Sequence, residues 1–175
     1  MKRFSNVHQL GFVVEDLQEA MKEYGARYRV KRWYGVVNEP QGALFYKGKP
    51  FADSGYAMAI GYCGRTEIEL ITTAAQENIY TEFLRAHGPG LHHVSFFVRD
   101  IDAWVPQYEA LGYEVVQNGV TNGKTMKARF AYMRRTDQPN GDIIEFCDVH
   151  AGRLPLTRTR WNIALGALTG DLVRL

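Results

Sequence analysis

One phrase occurs twice in this chain. His8-Gln9-Leu10-Gly11-Phe12-Val13-Val14-Glu15-Asp16-Leu17 returns 84 positions later as His92-His93-Val94-Ser95-Phe96-Phe97-Val98-Arg99-Asp100-Ile101, with His8/His92, Phe12/Phe96, Val14/Val98 and Asp16/Asp100 identical. Tyr24/Tyr108 continues the match downstream. Each copy reads as an alternating strand, an Asp able to cap a helix, and an amphipathic helix. The copies also end alike, because Ile68-Glu69-Leu70 is echoed by Ile144-Glu145-Phe146. A chain built this way is a duplicated module. Four polar residues, Gln9, Glu69, His93 and Glu145, therefore stand at module-equivalent places, and independent surface residues have no reason to do so.

The hydrophobic pattern predicts a strand over 7–14, a helix over 16–28, and strands near 30–37, 43–47, 55–62 and 65–73. A connecting helix follows over 76–88, and Gly88-Pro89-Gly90 breaks the chain before the second copy. That copy predicts a strand at 91–98, a helix at 100–111, and strands at 113–119, 127–135 and 141–148. Thr121-Asn122-Gly123-Lys124 and Gln138-Pro139-Asn140-Gly141 carry turn chemistry between the last three. The expected class is α+β: two tandem βαβββ modules forming a curved mixed sheet around a cavity. The expected domain covers 1–150, with module one at 5–75, a linker helix at 76–88 and module two at 90–149. The tail, 151–175, repeats nothing. Its apolar run from Trp161 to Leu168 predicts a short helix that must dock, on its own chain or across a twofold; a homodimer is the expected assembly, with the tail contributing to its surface or closing one end of the cavity. Arg153, Arg158 and Arg160 offer a second use of the tail, as a lid over an anionic substrate.

Composition narrows the partners. A formal charge of +2 from 21 basic and 19 acidic residues creates no field that attracts a polyanion, so nucleic acid is not an expected partner. No run approaches the roughly 20 apolar residues of a membrane span, and no apolar signal segment opens the chain, so a soluble, cytoplasmic protein is expected. Cys63 and Cys147 lie alone in apolar strands without paired spacing and read as buried free thiols.

Side chains alternate along a strand, so His93 and Ser95 share one face while His92 and Val94 share the other. If the modules pair about a pseudo-twofold, the two first strands line one cavity and the two Ile-Glu strands face them. A Gln oxygen, one imidazole and two carboxylates then converge, which suits one divalent ion such as Zn, Ni, Co, Mn or Fe with room for water. Bland alternatives exist for each residue: a Glu in an Ile-Glu-Leu strand can be a solvated face, and a His pair can be structural. A one-residue bulge in the first strand would turn His8 inward in place of Gln9.

The phrases Gln9 to Asp16, Gly90 to Asp100, Glu67-Ile-Glu-Leu70 and Gly141-Asp-Ile-Ile-Glu-Phe146 resemble the vicinal oxygen chelate superfamily, which includes glyoxalase I, methylmalonyl-CoA epimerase, extradiol dioxygenases and bleomycin and fosfomycin resistance proteins. The resemblance covers about residues 7 to 149. The first-strand ligand of such proteins stands seven residues before the Asp that opens the helix, which is Gln9 here, as His93 stands before Asp100. Gln, Glu, His, Glu is the ligand order of glyoxalase I-like isomerases, whereas epimerases commonly place His first and Gln second. The resemblance implies a metal-dependent isomerase, epimerase or lyase acting through a metal-stabilised enolate on a small carbonyl compound or thioester. In that reading Glu145 is the proton-shuttling base and Glu69 its counterpart across the substrate. A non-catalytic small-molecule-binding or resistance protein of the same fold is the alternative. An extradiol dioxygenase comes third, because two His and one carboxylate are expected there.

Overall fold

A computed structural model describes residues 6–36, 43–51, 56–73, 77–138, 141–156 and 159–175. Pro139, Asn140 and Arg158, named above for a turn and a lid, lie outside the described residues. The elements run β1 (Gln9–Val13), α1 (Leu17–Tyr28), β2 (Tyr34–Val36), β3 (Leu44–Tyr46), β4 (Lys49–Pro50), β5 (Tyr56–Cys63), β6 (Thr66–Thr73), α2 (Ile79–His87), β7 (Gly90–Phe97), α3 (Val105–Glu109), β8 (Tyr113–Asn122), β9 (Met126–Arg135), β10 (Ile143–Ala151), β11 (Leu154–Pro155), α4 (Thr159–Thr169) and β12 (Leu172–Arg174).

The duplication is visible in the strand order. Module one lies in the order β1-β6-β5-β2 and module two in the order β7-β10-β9-β8, each with a parallel first pair and antiparallel pairs beyond. The modules join along β1 and β7, which run antiparallel with Gln9 opposite Ser95 and Gly11 opposite His93. This is the α+β architecture read from the repeat, closed into one curved mixed sheet.

Local chemistry explains both the helices and their inequality. Asp16 caps α1 by accepting the Glu19 N–H at 2.9 Å, and Arg29 ends it in the left-handed conformation at φ 57°. Asp100 caps only a 3-10 turn, Ile101–Ala103. Pro106 lacks an N–H for a continuous helix and sits instead in the first turn of α3. The single helix expected over 100–111 is thus two short pieces. Each module keeps its aromatic core: Phe12, Tyr24 and Trp33 pack with Leu70 in one, and Trp104, Tyr108 and Phe146 with Met133 in the other.

Two segments leave their own module. β3, expected among module one's strands, pairs instead with β8 at the far edge of module two, and Leu44 fits over Gly119 there. The tail takes the other end, where β12 pairs with β2 and Ile163 and Leu172 pack on Ile60. The tail is therefore docked on its own chain. Asp171, 2% exposed, fastens it: its carboxylate accepts the Thr125 N–H at 3.0 Å and the Met126 N–H at 3.4 Å at the β8–β9 turn. The Arg lid does not form among the described residues, because Arg153 is exposed and Arg160 bonds the Gly64 carbonyl and lies over the Tyr62 ring. No described helix is long and apolar enough to cross a membrane.

Asp171→Ala should cost about 2 kcal/mol, the loss of charge-assisted bonds to part-buried N–H groups. Calorimetry should show a melting point lower by roughly 4–8 °C, with new proteolytic cleavage before α4; an unchanged melting point would mean that Asp171 does not hold the tail.

A second fastening lies on α2. Glu82 meets Arg134 Nη1 at 2.6 Å, Lys47 Nζ at 2.6 Å and the Tyr46 hydroxyl, linking α2, β9 and the β3–β4 excursion. Burial alone would raise its pKa, but those bonds outweigh burial and hold the carboxyl at about 2, below its ordinary 4.5. The folded value is the lower one, so this contribution to stability is present above about pH 4.5 and is lost as pH falls towards 2. Urea unfolding at pH 6 and pH 3 should show a smaller difference in Glu82→Gln than in the native chain; equal differences would remove Glu82 from the acid response.

Candidate metal centre

The four residues singled out by the repeat meet. Gln9 and His93 project from the seam strands, and Glu69 and Glu145 from the strands flanking the seam, with Glu69 opposite Gly11 and Glu145 opposite Ser95. All four are buried. From His93 Nε2 the distances are 3.4 Å to Gln9 Oε1, 3.4 Å to Glu69 Oε2 and 3.5 Å to Glu145 Oε2. Two donors held tetrahedrally about 2.1 Å from one ion would stand about 3.4 Å apart.

Gly11 makes this possible. A Cβ on Gly11 would lie 1.9 Å from His93 Cε1 and 2.3 Å from Nε2, so only glycine lets the imidazole lie across β1. The equivalent position in module two holds Ser95. The register irregularity between the seam strands falls after Gly11, beyond the strand start, and does not turn His8 inward. His8 instead stacks on Phe97 with centroids 5.7 Å apart, and its Nδ1 accepts the Phe97 N–H at 3.2 Å.

Two residues outside this foursome belong to the same cluster. Glu67, opposite Gln9 on β6, accepts the Gln9 amide N–H at 2.7 Å. That bond turns Gln9 Oε1 towards His93. Burial first, and then the charge of Glu69, push the Glu67 carboxyl up to about 8. The repeat could not single it out, because its module-two equivalent is Ile143; its spacing of two from Glu69, on the same strand face, was the available signal. His92, expected on the opposite strand face, brings its Nδ1 to 2.9 Å from His93 Nδ1. It sits among the rings of Tyr80, Phe83 and Tyr132. Burial, aided by His93, keeps its pKa well below the ordinary imidazole value, so His92 is neutral. One proton is shared between the two facing nitrogens, and if His93 holds it, His93 Nε2 is left bare towards the oxygens.

The electrostatics are unbalanced without a cation. Burial opposes charge on His93, yet Glu69 and Glu145 carry its pKa above the ordinary value. Glu145 is raised by burial, against the pull of His93 and of the Ser95 and Tyr132 hydroxyls. Three acceptor oxygens face one imidazole nitrogen that can donate at most one proton, and Glu69 Oε2 is buried with no hydrogen-bond partner. A divalent ion would supply what this donor set lacks. Among the described residues, no three His, Cys, Asp or Glu side chains already close into a metal-holding group; the convergence includes the Gln9 amide and is centred on His93.

The cluster forms one end of a cavity of about 160 Å³ whose walls include Met58, Phe97, Phe130 and Ile163. Cys147, two residues past Glu145, also lines it. Both cysteines are free and half-buried rather than fully buried, and burial pushes the Cys147 thiol well up.

Residues 8–132 match the profile of the glyoxalase/bleomycin resistance protein/dioxygenase superfamily. The chain belongs to that superfamily. The match stops short of β10 and the tail. Similar solved structures include methylmalonyl-CoA epimerase from Mycobacterium tuberculosis, 19% identical over 84% of this chain and 91% of that one, with a TM-score of 0.59. Hypothetical protein BH1468 from Bacillus halodurans C-125 is 19% identical over 81% and 92%, at 0.58. A variant of Streptomyces coelicolor methylmalonyl-CoA epimerase in complex with 2-nitronate-propionyl-CoA is 20% identical over 83% and 97%, at 0.57. At these identities the likeness is one of fold. No curated protein sequence matches.

Gly11→Ala should displace the His93 ring and destabilise the chain by about 1–3 kcal/mol, as overpacking does. Metal uptake, read by equilibrium dialysis, should fall by at least an order of magnitude at a temperature where the variant remains folded; uptake equal to that of the native chain would show that His93 need not lie where it does.

Proposed function

We propose that this protein is a divalent-metal-dependent isomerase, epimerase or lyase of small carbonyl compounds, with Gln9, Glu69, His93 and Glu145 holding the ion. The observation that carries the reading is the convergence of three buried oxygens on His93 Nε2 from module-equivalent strands. When bound, the ion would polarise a substrate carbonyl and acidify the adjacent C–H bond. The chain's own residues do the rest. Glu145 takes the proton from that carbon, its basicity sustained by burial. Glu69 faces it as the second carboxylate. Glu67, at about 8, carries a proton at neutral pH and is placed to return one. His92 holds the His93 ring, and Gly11 gives it room. A homodimer in the cytoplasm completes the proposal; Trp161 and Leu168, 66% and 84% exposed on the docked tail, are the residues a partner copy would cover.

The alternative, a non-catalytic binding protein, is favoured by the largely apolar walls of the cavity. The extradiol reading fits less well, since it asks for a second His and His8 is turned away onto Phe97.

Metal analysis and exchange of the carbinol protons of 2-hydroxyacetophenone in D₂O, followed by NMR, separate these. The proposal expects one ion per chain and metal-dependent exchange that falls on the order of 100-fold or more in Glu145→Gln. Metal without exchange favours the binding protein. Absence of metal uptake overturns the proposal.

A further inference from the structure

The cavity also limits what can enter it. Among the described residues, its lining contains no Lys and no Arg, while Glu67, Glu69 and Glu145 crowd one end. Four cations of the fold are engaged elsewhere: Lys47 and Arg134 with Glu82, Arg129 with Asp102, and Arg160 with the Gly64 carbonyl. A bound divalent ion would not reverse this, because the charges of Glu69 and Glu145 would cancel its own. A carboxylate or phosphate brought inside would lose its water and find no counter-charge.

The tail supplies the other requirement. Asn162 on α4 is 7% exposed and lines the cavity. Its amide N–H reaches the Leu156 carbonyl at 3.3 Å, and its side-chain oxygen is buried without a partner. The Gln117 side-chain oxygen, by contrast, accepts the Ile79 N–H. Asn162 therefore presents an acceptor that a ligand O–H or N–H would complete.

We infer that the cavity takes an uncharged, mainly apolar carbonyl compound carrying one O–H or N–H for Asn162, and rejects molecules whose carboxylate or phosphate must lie inside. The inference names the substrate class of the site proposed above and rests on that reading of the cavity. The polar oxygen goes to the acidic end, the apolar body lies against Phe97, Phe130, Met58 and Ile163, and the donor meets the tail.

A matched pair of fluorescent probes tests it: N-phenyl-1-naphthylamine, which is uncharged and has an N–H, and 1-anilinonaphthalene-8-sulfonate, the same skeleton with an added anion. Titrations of the full chain, metal-free and metal-loaded, should show the neutral probe binding at least about 10-fold more tightly in both states, about 1.4 kcal/mol. Thr121→Lys, a half-buried position on the lining, should narrow that preference. Asn162→Ala should weaken the neutral probe by roughly fivefold, the loss of one hydrogen bond. Equal or tighter binding of the sulfonate, no binding of the neutral probe, or indifference to Thr121→Lys overturns the inference; indifference to Asn162→Ala overturns the assignment of the donor contact. A chain that takes up no metal yet still discriminates between the probes leaves the cavity inference standing and overturns only the metal reading.

Discussion

The antiparallel seam between β1 and β7 is the constraint on which the rest depends. It sets Gly11 opposite His93 and Gln9 opposite Ser95, and the two parallel partners β6 and β10 then bring Glu69 and Glu145 to the same depth. A slip of one residue would turn every one of these side chains to the other face. Buried faces on both modules oppose such a slip, because Phe12, Val14 and Leu70 would exchange places with Gln9 and Glu69. The site is a consequence of the core.

The seam also collects unfavourable charge. Three buried carboxylates and one imidazole share a space from which water is largely excluded, and Glu67 responds by holding its proton. Burial of acids on this scale is costly unless something compensates. A divalent ion at the proposed site would compensate Glu69 and Glu145, and the Gln9 amide donates to Glu67. Aromatic packing around His92 fixes the remaining freedom, the orientation of the His93 ring. The same burial that makes the cluster expensive raises the Glu67 and Glu145 carboxyls and makes them better bases.

Much of this architecture is legible in the amino-acid sequence alone. The repeat specifies the α+β class, the approximate strands of each module and the four polar residues that meet, because module-equivalent positions in a symmetric pair must face one another. What it hides are the asymmetries. Glu67 pairs with Ile143 in the repeat and so carries no mark, although it stands on the face of Glu69. β3 leaves its module for the edge of β8, a long-range pairing that local periodicity does not encode. Pro106 shortens the second helix, a breaker visible in the sequence and outweighed there by the apolar pattern. Asp171 and Asn162, which fasten the tail and finish the cavity, lie in the non-repeating segment and have no equivalent residue to be compared with.

The central claim is that Gln9, Glu69, His93 and Glu145 hold one ion. Crystals grown with Mn²⁺ or Zn²⁺ and measured for anomalous scattering at the metal edge test it most directly. The account predicts one strong peak per chain, about 2.0–2.3 Å from Gln9 Oε1, His93 Nε2 and oxygens of Glu69 and Glu145. A saturated crystal with its peak elsewhere, or with no peak between the seam strands and the two glutamates, would contradict it.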